Sequence, residues 1–293
     1  MKKIVVPTDF SICANNAVDF AVQSAKILPA EIILLHAFET MGNVYTDYMG
    51  VNKEFNQSML NDIDQKLQQV KKSIEETDGV NVGTKIYRGP AKDAIVETAI
   101  AENADLIVMG TLGATGLKER IWGSKTASII GSTSVPVMAI PYEYAWKKPG
   151  KVLLATNHFE ENSPVLDYVF ELAGLYMAQV QVVVFTDEDD DKAATYMEHL
   201  RRTQQYERLL KQQYNEETLI ATHLYGLEFE ETLQRHIEEQ DIDILVMITY
   251  QEKDSIRKRI FNPSKTIKMS YQTIVPLLAI PAKWEVENDF SKI

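Results

Sequence analysis

Disulfide chemistry is the first thing this chain lacks: among 293 residues there is one cysteine, Cys13, which has no second thiol for an intrachain bridge. Histidine is nearly as scarce. Five are scattered, at 36, 158, 199, 223 and 236, without metal-ligand spacing, so no structural metal is expected. No apolar run approaches the roughly 20 residues needed to cross a bilayer. The start, Met1 to Phe10, reaches Pro7-Thr8-Asp9 after only Ile4-Val5-Val6, too short for a secretory h-region. These absences point to a cytoplasmic chain with no membrane partner. Basic charge is also in deficit, 30 Lys and Arg against 42 Asp and Glu, a net −12. Both halves share it, 13 against 17 up to Glu143 and 17 against 25 after it. Polyphosphate backbones are bound by displacing counterions with Lys and Arg, so nucleic acid is not an expected partner. The knot Arg257-Lys258-Arg259 is too small to reverse this, and the acidic run Asp187 to Asp191 lacks the alternating ligands and glycine of a calcium loop. With 45% hydrophobic residues, 13 Gly and 10 Pro, the chain is neither low-complexity nor collagen-like, and its length suits two domains with substantial cores.

What is present is a repeat. Ile4-Val5-Val6-Pro7-Thr8-Asp9 is echoed by Val152-Leu153-Leu154-Ala155-Thr156-Asn157, an offset of 148. Asp105-Leu106-Ile107-Val108-Met109 returns as Asp243-Ile244-Leu245-Val246-Met247, and Val135-Pro136-Val137-Met138-Ala139-Ile140-Pro141 as Val275-Pro276-Leu277-Leu278-Ala279-Ile280-Pro281. Three echoes in one order imply two copies of one domain. The expected boundaries are 1–143 and 150–283, joined near Lys147-Lys148-Pro149-Gly150, with a polar tail over 284–293.

In copy one, short β-branched runs at residues 3–8, 31–37, 80–88, 105–109 and 135–140 alternate with helical periods. Phe55, Met59, Ile63, Leu67, Val70 and Ile74 share one helix face and read as core. Continuous apolar strands suit a sheet covered on both faces, and helical crossovers make it parallel. The expected fold is α/β: two tandem doubly wound domains, each a five-stranded parallel sheet flanked by helices. Ligands of such sheets bind beyond the carboxyl ends of the strands, where strand order reverses.

Chemistry-bearing residues collect at those ends. The fourth strand runs into Met109-Gly110-Thr111-Leu112-Gly113, and Gly123-Ser124-Lys125-Thr126 opens the next helix. Glycines there let backbone N–H groups approach a polyphosphate, Ser124 and Thr126 offer hydroxyls, and Lys125 offers charge. Turn-making alone would also explain three glycines. Asp9, at the end of the first strand, is either an acceptor for an adenine amino group or ribose hydroxyl, or a helix N-cap in competition with Ser11. His36 reads as a hydrogen-bonded core residue, Cys13 as a packed thiol, and Trp122 as an apolar cover for the loop.

The pattern Gly-x2-Gly-x9-Gly-Ser, matched by Gly110, Gly113, Gly123 and Ser124, resembles the nucleotide loop of the universal stress protein family. Pro7-Thr8-Asp9-Phe10-Ser11 resembles its opening segment, Leu35-His36-Ala37 the end of its second strand, and Gly89-Pro90 the turn before its third helix. The resemblance covers copy one and, more weakly, copy two. It implies a cytoplasmic stress-response protein that binds ATP, with or without Mg²⁺. By the same resemblance Pro7, Thr8, Asp9 and Ala37 line the adenosine side, while Met109, Gly110, Gly113, Gly123, Ser124 and Lys125 meet ribose and phosphates. It further implies that the last strands of the two copies pair in an intramolecular pseudo-dimer, with a homodimer of chains as a further possibility.

Copy two departs at every decisive position: Asn157 stands for Asp9, Ala155 for Pro7, Ile248 for Gly110, Gln251 for Gly113 and Asn262-Pro263 for the last glycine. Proline has no N–H to give a phosphate, so no conventional nucleotide site is expected there. Three functions remain open: a nucleotide-dependent binding or regulatory module, a slow Mg²⁺-dependent ATPase, and a scaffold sensing a ligand that is not a nucleotide. The Walker spacing Gly-x4-Gly-Lys is absent, since Ser124 separates Gly123 from Lys125. No catalytic residue is assigned.

Overall fold

A computed structural model describes residues 2–39, 51–111, 124–142, 144–156, 159–161, 163–187, 193–226, 228–249 and 274–282. It divides into two compact units, Met1–Trp146 and Lys147–Ile293. Part of the joining stretch is claimed by each: Tyr144 packs its ring 6.1 Å from Phe20, and Lys147 pairs with Asp243 at 2.5 Å.

In the first unit the described elements are β1 (Lys3–Pro7), α1 (Ile12–Ala25), β2 (Glu31–Phe38), α2 (Val51–Asp78), β3 (Val82–Arg88), α3 (Ala91–Ala101), β4 (Leu106–Gly110), α4 (Ser124–Ile130) and β5 (Val137–Ile140). Strand order is β3-β2-β1-β4-β5, and every pairing is parallel. The order reverses between β1 and β4, so their carboxyl ends frame a crevice. The strands are nearly solid apolar runs because both faces are covered: α1 packs on β1, β4 and β5, α2 on β2 and β3, and α3 on β1 and β2.

Local chemistry sets the helix starts. Ser11 holds extended backbone and its hydroxyl accepts the Ala14 N–H at 3.2 Å, so the N-cap of α1 is Ser11 and not Asp9. Gly89 adopts φ +148°, open to glycine alone, and Pro90 then presets the first turn of α3. The apolar stripe of α2 is core only from Ile63 onward. Ile63, Leu67 and Ile74 are buried, whereas Phe55 and Met59 are 52% and 38% exposed. A helix of 28 residues is about 42 Å long, and an eight-residue strand such as β2 spans about 26 Å. The part of α2 that carries Phe55 and Met59 therefore outruns the sheet.

The second unit repeats this plan with β6 (Lys151–Thr156), α5 (Ser163–Tyr176), β7 (Gln179–Asp187), α6 (Ala193–Tyr214), β8 (Ile220–Gly226), α7 (Phe229–Glu239), β9 (Ile244–Thr249) and β10 (Leu277–Pro281). Its order is β10-β9-β6-β7-β8, again all parallel. Each unit is thus a five-stranded doubly wound domain, as the alternation of strand and helix periods requires.

One carboxylate ties each sheet together. Asp105 Oδ2 accepts the N–H groups of Lys2 and Lys3 at 2.6 and 2.9 Å, and Asp243 Oδ2 accepts those of Gly150 and Lys151 at 2.7 and 2.9 Å. Both aspartates are buried, and each fastens the start of the first strand of its unit to the start of the fourth. Asp105→Ala or Asp243→Ala leaves two N–H donors short of a charged acceptor, a loss of about 2–3 kcal/mol. Urea unfolding is expected to register that drop, whereas Lys72→Ala, which breaks a 3.8 Å pair with Glu76 between two exposed side chains, should stay within about 0.5 kcal/mol.

Candidate functional site

The register that Asp105 fixes at one end of the sheet decides what meets at the other. Ile4 lies opposite Leu106 and Val5 opposite Ile107. Continued to the end of β1, that register sets Pro7 level with Met109, and Thr8 and Asp9 follow directly from there. Ala37 enters from β2, whose Leu35 carbonyl accepts the Thr8 N–H at 2.8 Å. Pro7, Thr8, Asp9, Ala37, Met109 and Gly110 therefore share the β1–β2–β4 end of the first sheet. Lys125 is exposed in the first turn of α4, which packs on β5. Gly113, Trp122 and Gly123 lie outside the described residues, as does the side chain of Ser124.

Several of these residues carry structural duties as well. Asp9 is exposed, and its Oδ1 accepts the Ser11 N–H at 3.1 Å in a tight side-chain turn. Thr8 is buried; its Oγ1 accepts the Phe10 N–H at 3.0 Å and its carbonyl accepts from His36 Nδ1 at 2.8 Å. Thr8 thus shapes the crevice floor, its hydroxyl oxygen accepting from Phe10 and its carbonyl from His36. Thr126 is likewise committed, because its hydroxyl donates to the Gly110 carbonyl at 2.8 Å and binds α4 to the end of β4. Gly110 is glycine for a packing reason: a Cβ there would lie 2.6 Å from the Cys13 carbonyl oxygen and 2.9 Å from its carbon. Helix α1 crosses the end of β4 so closely that no side chain fits. Cys13 itself is buried.

Three side chains that carry no loop motif complete the crevice. Phe10 has φ 61°, rare for a bulky residue, and its ring stacks on His36 at 5.0 Å with 20° between planes. Lys66, from α2, holds its ammonium 5.6 Å from the centre of the same ring. A carbonyl only accepts, so the Thr8 contact places the His36 proton on Nδ1. Burial pushes the imidazole below its ordinary 6.5; the Thr8 carbonyl and the Asp9 carboxylate pull it up, and Lys66 and Lys125 push it down. The sequence signal for His36 was its place one residue before Ala37; nothing in α2 marked Lys66, which reaches the crevice only because α2 folds back along β2 and β3.

The second unit builds the corresponding place differently. Aligning α2 with α6 at an offset of 136 superposes buried Leu67 on buried Thr203 and buried Ile74 on buried Leu210. Lys66 then matches Arg202, whose guanidinium lies 4.5 Å from the Phe159 ring. Val70 matches Tyr206, which is buried, meets Phe159 edge-on at 5.5 Å and donates its hydroxyl to the Glu160 carbonyl at 2.7 Å. Burial, reinforced by the Glu160 and Glu161 carboxylates, holds the Tyr206 phenol well above its usual range, so it remains a donor. Among the described residues of either unit, no group of three or more His, Cys, Asp or Glu side chains could hold a metal ion, and no helix is long and apolar enough to cross a membrane.

The His36 environment has a pH signature. Its folded-state pKa lies below the unfolded value of 6.5, so the neutral ring is favoured by folding. That stability is complete above pH 6.5 and is lost as pH falls from there through the folded pKa. NMR titration is expected to place His36 below 6.5 with the proton on Nδ1. In His36→Asn, whose amide can still donate to Thr8, stability should decline less steeply below pH 6.5 than in the parent.

Against known proteins, the model of the universal stress protein family matches residues 1–141. A universal stress protein of Methanocaldococcus jannaschii is 33% identical over 155 residues, covering 51% of this chain and 84% of the relative. A second from the same organism is 34% identical over 154 residues, covering 47% and 94%. The crystal structure of a universal stress protein from Archaeoglobus fulgidus matches with a TM-score of 0.70 over 96% of this chain and 98% of that one, at 17% identity, a likeness of fold. With its doubly wound units and the strand-end residues now in place, the chain belongs to the universal stress protein family.

Proposed function

We propose that the first unit binds ATP, with Mg²⁺ as companion of the phosphates, and that the chain acts in the cytoplasm as a nucleotide-dependent binding or regulatory module of the stress response. The observation that supports this best is that Asp9, just past β1, and Gly110, the last residue of β4, lie at the carboxyl ends of the two strands between which strand order reverses. Asp9 would accept from an adenine amino group or ribose hydroxyl. Pro7, Thr8 and Ala37 shape the adenosine side; Met109, Gly110, Gly113, Gly123, Ser124 and Lys125 serve ribose and phosphates. ATP supplies the polyanion, and these residues bind and orient it. His36 donates its Nδ1–H to the Thr8 carbonyl, which anchors the ring beside Phe10. Tyr206 and Phe159, packed against each other in the second unit, favour one nucleotide per chain.

Calorimetric titration with ATP and Mg²⁺ is expected to give one site per chain. Gly113→Leu or Gly123→Leu should abolish it, while Gln251→Leu and Asn262→Leu should leave it unaltered. Asp9→Ala should weaken binding by about 1–3 kcal/mol, the scale for a hydrogen bond to a charged group, with an unchanged circular dichroism spectrum. Two equal sites, or full affinity after both glycine changes, would sink the assignment.

The same reading extends to assembly. β5 and β10 each end the strand order of their own unit, and an apolar edge invites pairing. We propose that they pair within one chain as a pseudo-dimer, on which a homodimer of chains can build. Small-angle X-ray scattering should return one compact particle per chain. A profile of two beads on a flexible joint would contradict the pairing, and light scattering reports whether chains associate further.

A further inference from the structure

We infer that Lys66 is a second cationic contact for the nucleotide's phosphates, reaching the crevice of the first unit from α2 and facing Lys125 across it. The inference rests on the ATP reading and adds to it a residue outside the glycine loop. α2 packs on β2 and β3, whereas α4 packs on β5, so the two lysines approach the β1–β4 switch point from its two sides. Both lie near enough to His36 for their charges to disfavour its protonation.

Lys66 is not occupied as Lys71 and Lys72 of the same helix are. Lys71 and Lys72 pair with Glu75 and Glu76 one turn on, at 3.6 and 3.8 Å. Lys66 has Asp62 one turn before it, yet among the described residues it makes no ion pair and rests over Phe10 instead. Holding a cation against an aromatic face, beside a strand end that carries Asp9, keeps it poised without neutralising it. Phe10 is fixed in turn by the Thr8 hydroxyl and the His36 ring, so the ammonium is held in place by a rigid stack.

The second unit separates scaffold from function. Arg202 over Phe159 reproduces Lys66 over Phe10, but Tyr206 occupies the next turn, where the first unit has the shorter Val70. The cation-on-phenylalanine pair is common to both units, and only in the first is its flank left to a small side chain. Arg202 is therefore the control for a purely structural role.

The experiment compares ATP with adenosine, in the full chain, by calorimetry. Lys66→Gln is expected to weaken ATP about tenfold, to leave adenosine affinity unchanged, and to reduce the salt dependence of ATP binding. Lys66→Arg should restore most of the loss, and Arg202→Gln should change neither ligand. Equal loss for ATP and adenosine would mean that Lys66 acts through the Phe10 ring, and would overturn the inference. So would unchanged ATP affinity in Lys66→Gln, with the nucleotide reading itself intact. If the parent chain binds neither ligand, both readings fall together.

Discussion

Two backbone N–H groups converging on one buried carboxylate hold each unit of this protein in register. Asp105 clamps the start of β1 to the start of β4, and Asp243 does the same for β6 and β9. A charged acceptor inside the protein is costly unless fully bonded, and a shift of either strand by one residue would strip it of its donors. The clamp lies at the amino ends of the strands, away from the crevice. Its effect is felt at the carboxyl ends, because parallel strands locked at one end deliver fixed neighbours at the other: the end of β1, from which Thr8 and Asp9 follow, beside the end of β4 at Gly110.

At that far end, packing leaves little freedom. The Cys13 carbonyl presses against Gly110, the Thr126 hydroxyl ties α4 to the same residue, and Thr8 spends both its oxygens on Phe10 and His36. Phe10 holds a backbone angle that costs a bulky side chain about 1–3 kcal/mol. Such strain persists only where neighbours over-determine it, and here the Thr8 hydroxyl, the His36 ring and the Lys66 ammonium do so. The Phe10 end of the crevice is accordingly built on neighbours that fix one another.

The two units show which parts of the design are scaffold. Both keep the carboxylate clamp, the parallel order and the cation over phenylalanine; the second has exchanged Asp9 for Asn157, Gly110 for Ile248 and Val70 for Tyr206. Tyr206 finds its acceptor in the Glu160 backbone, so the exchange leaves a satisfied, packed interior in place of the first unit's small side chain. Ile248, at the position of Gly110, is buried in β9.

By itself the sequence determined the repeat, the parallel α/β class and the strand ends that matter, because periods of 2 and 3.6 and a thrice-repeated order of apolar runs are properties of the chain alone. It also pointed to Asp9, Gly110 and Lys125, since turns and loops after strands are written in local residue types. Tertiary structure decided the rest. Whether Asp9 or Ser11 caps α1 depended on backbone angles, and the burial of the α2 stripe depended on where the sheet ends, leaving Phe55 and Met59 beyond it. That Asp105 is a clamp, that Gly110 is glycine because of Cys13, and that Lys66 reaches Phe10 are all contacts between residues far apart in the chain. Such contacts are fixed by the register of strands and the angle of helices, which no single segment encodes.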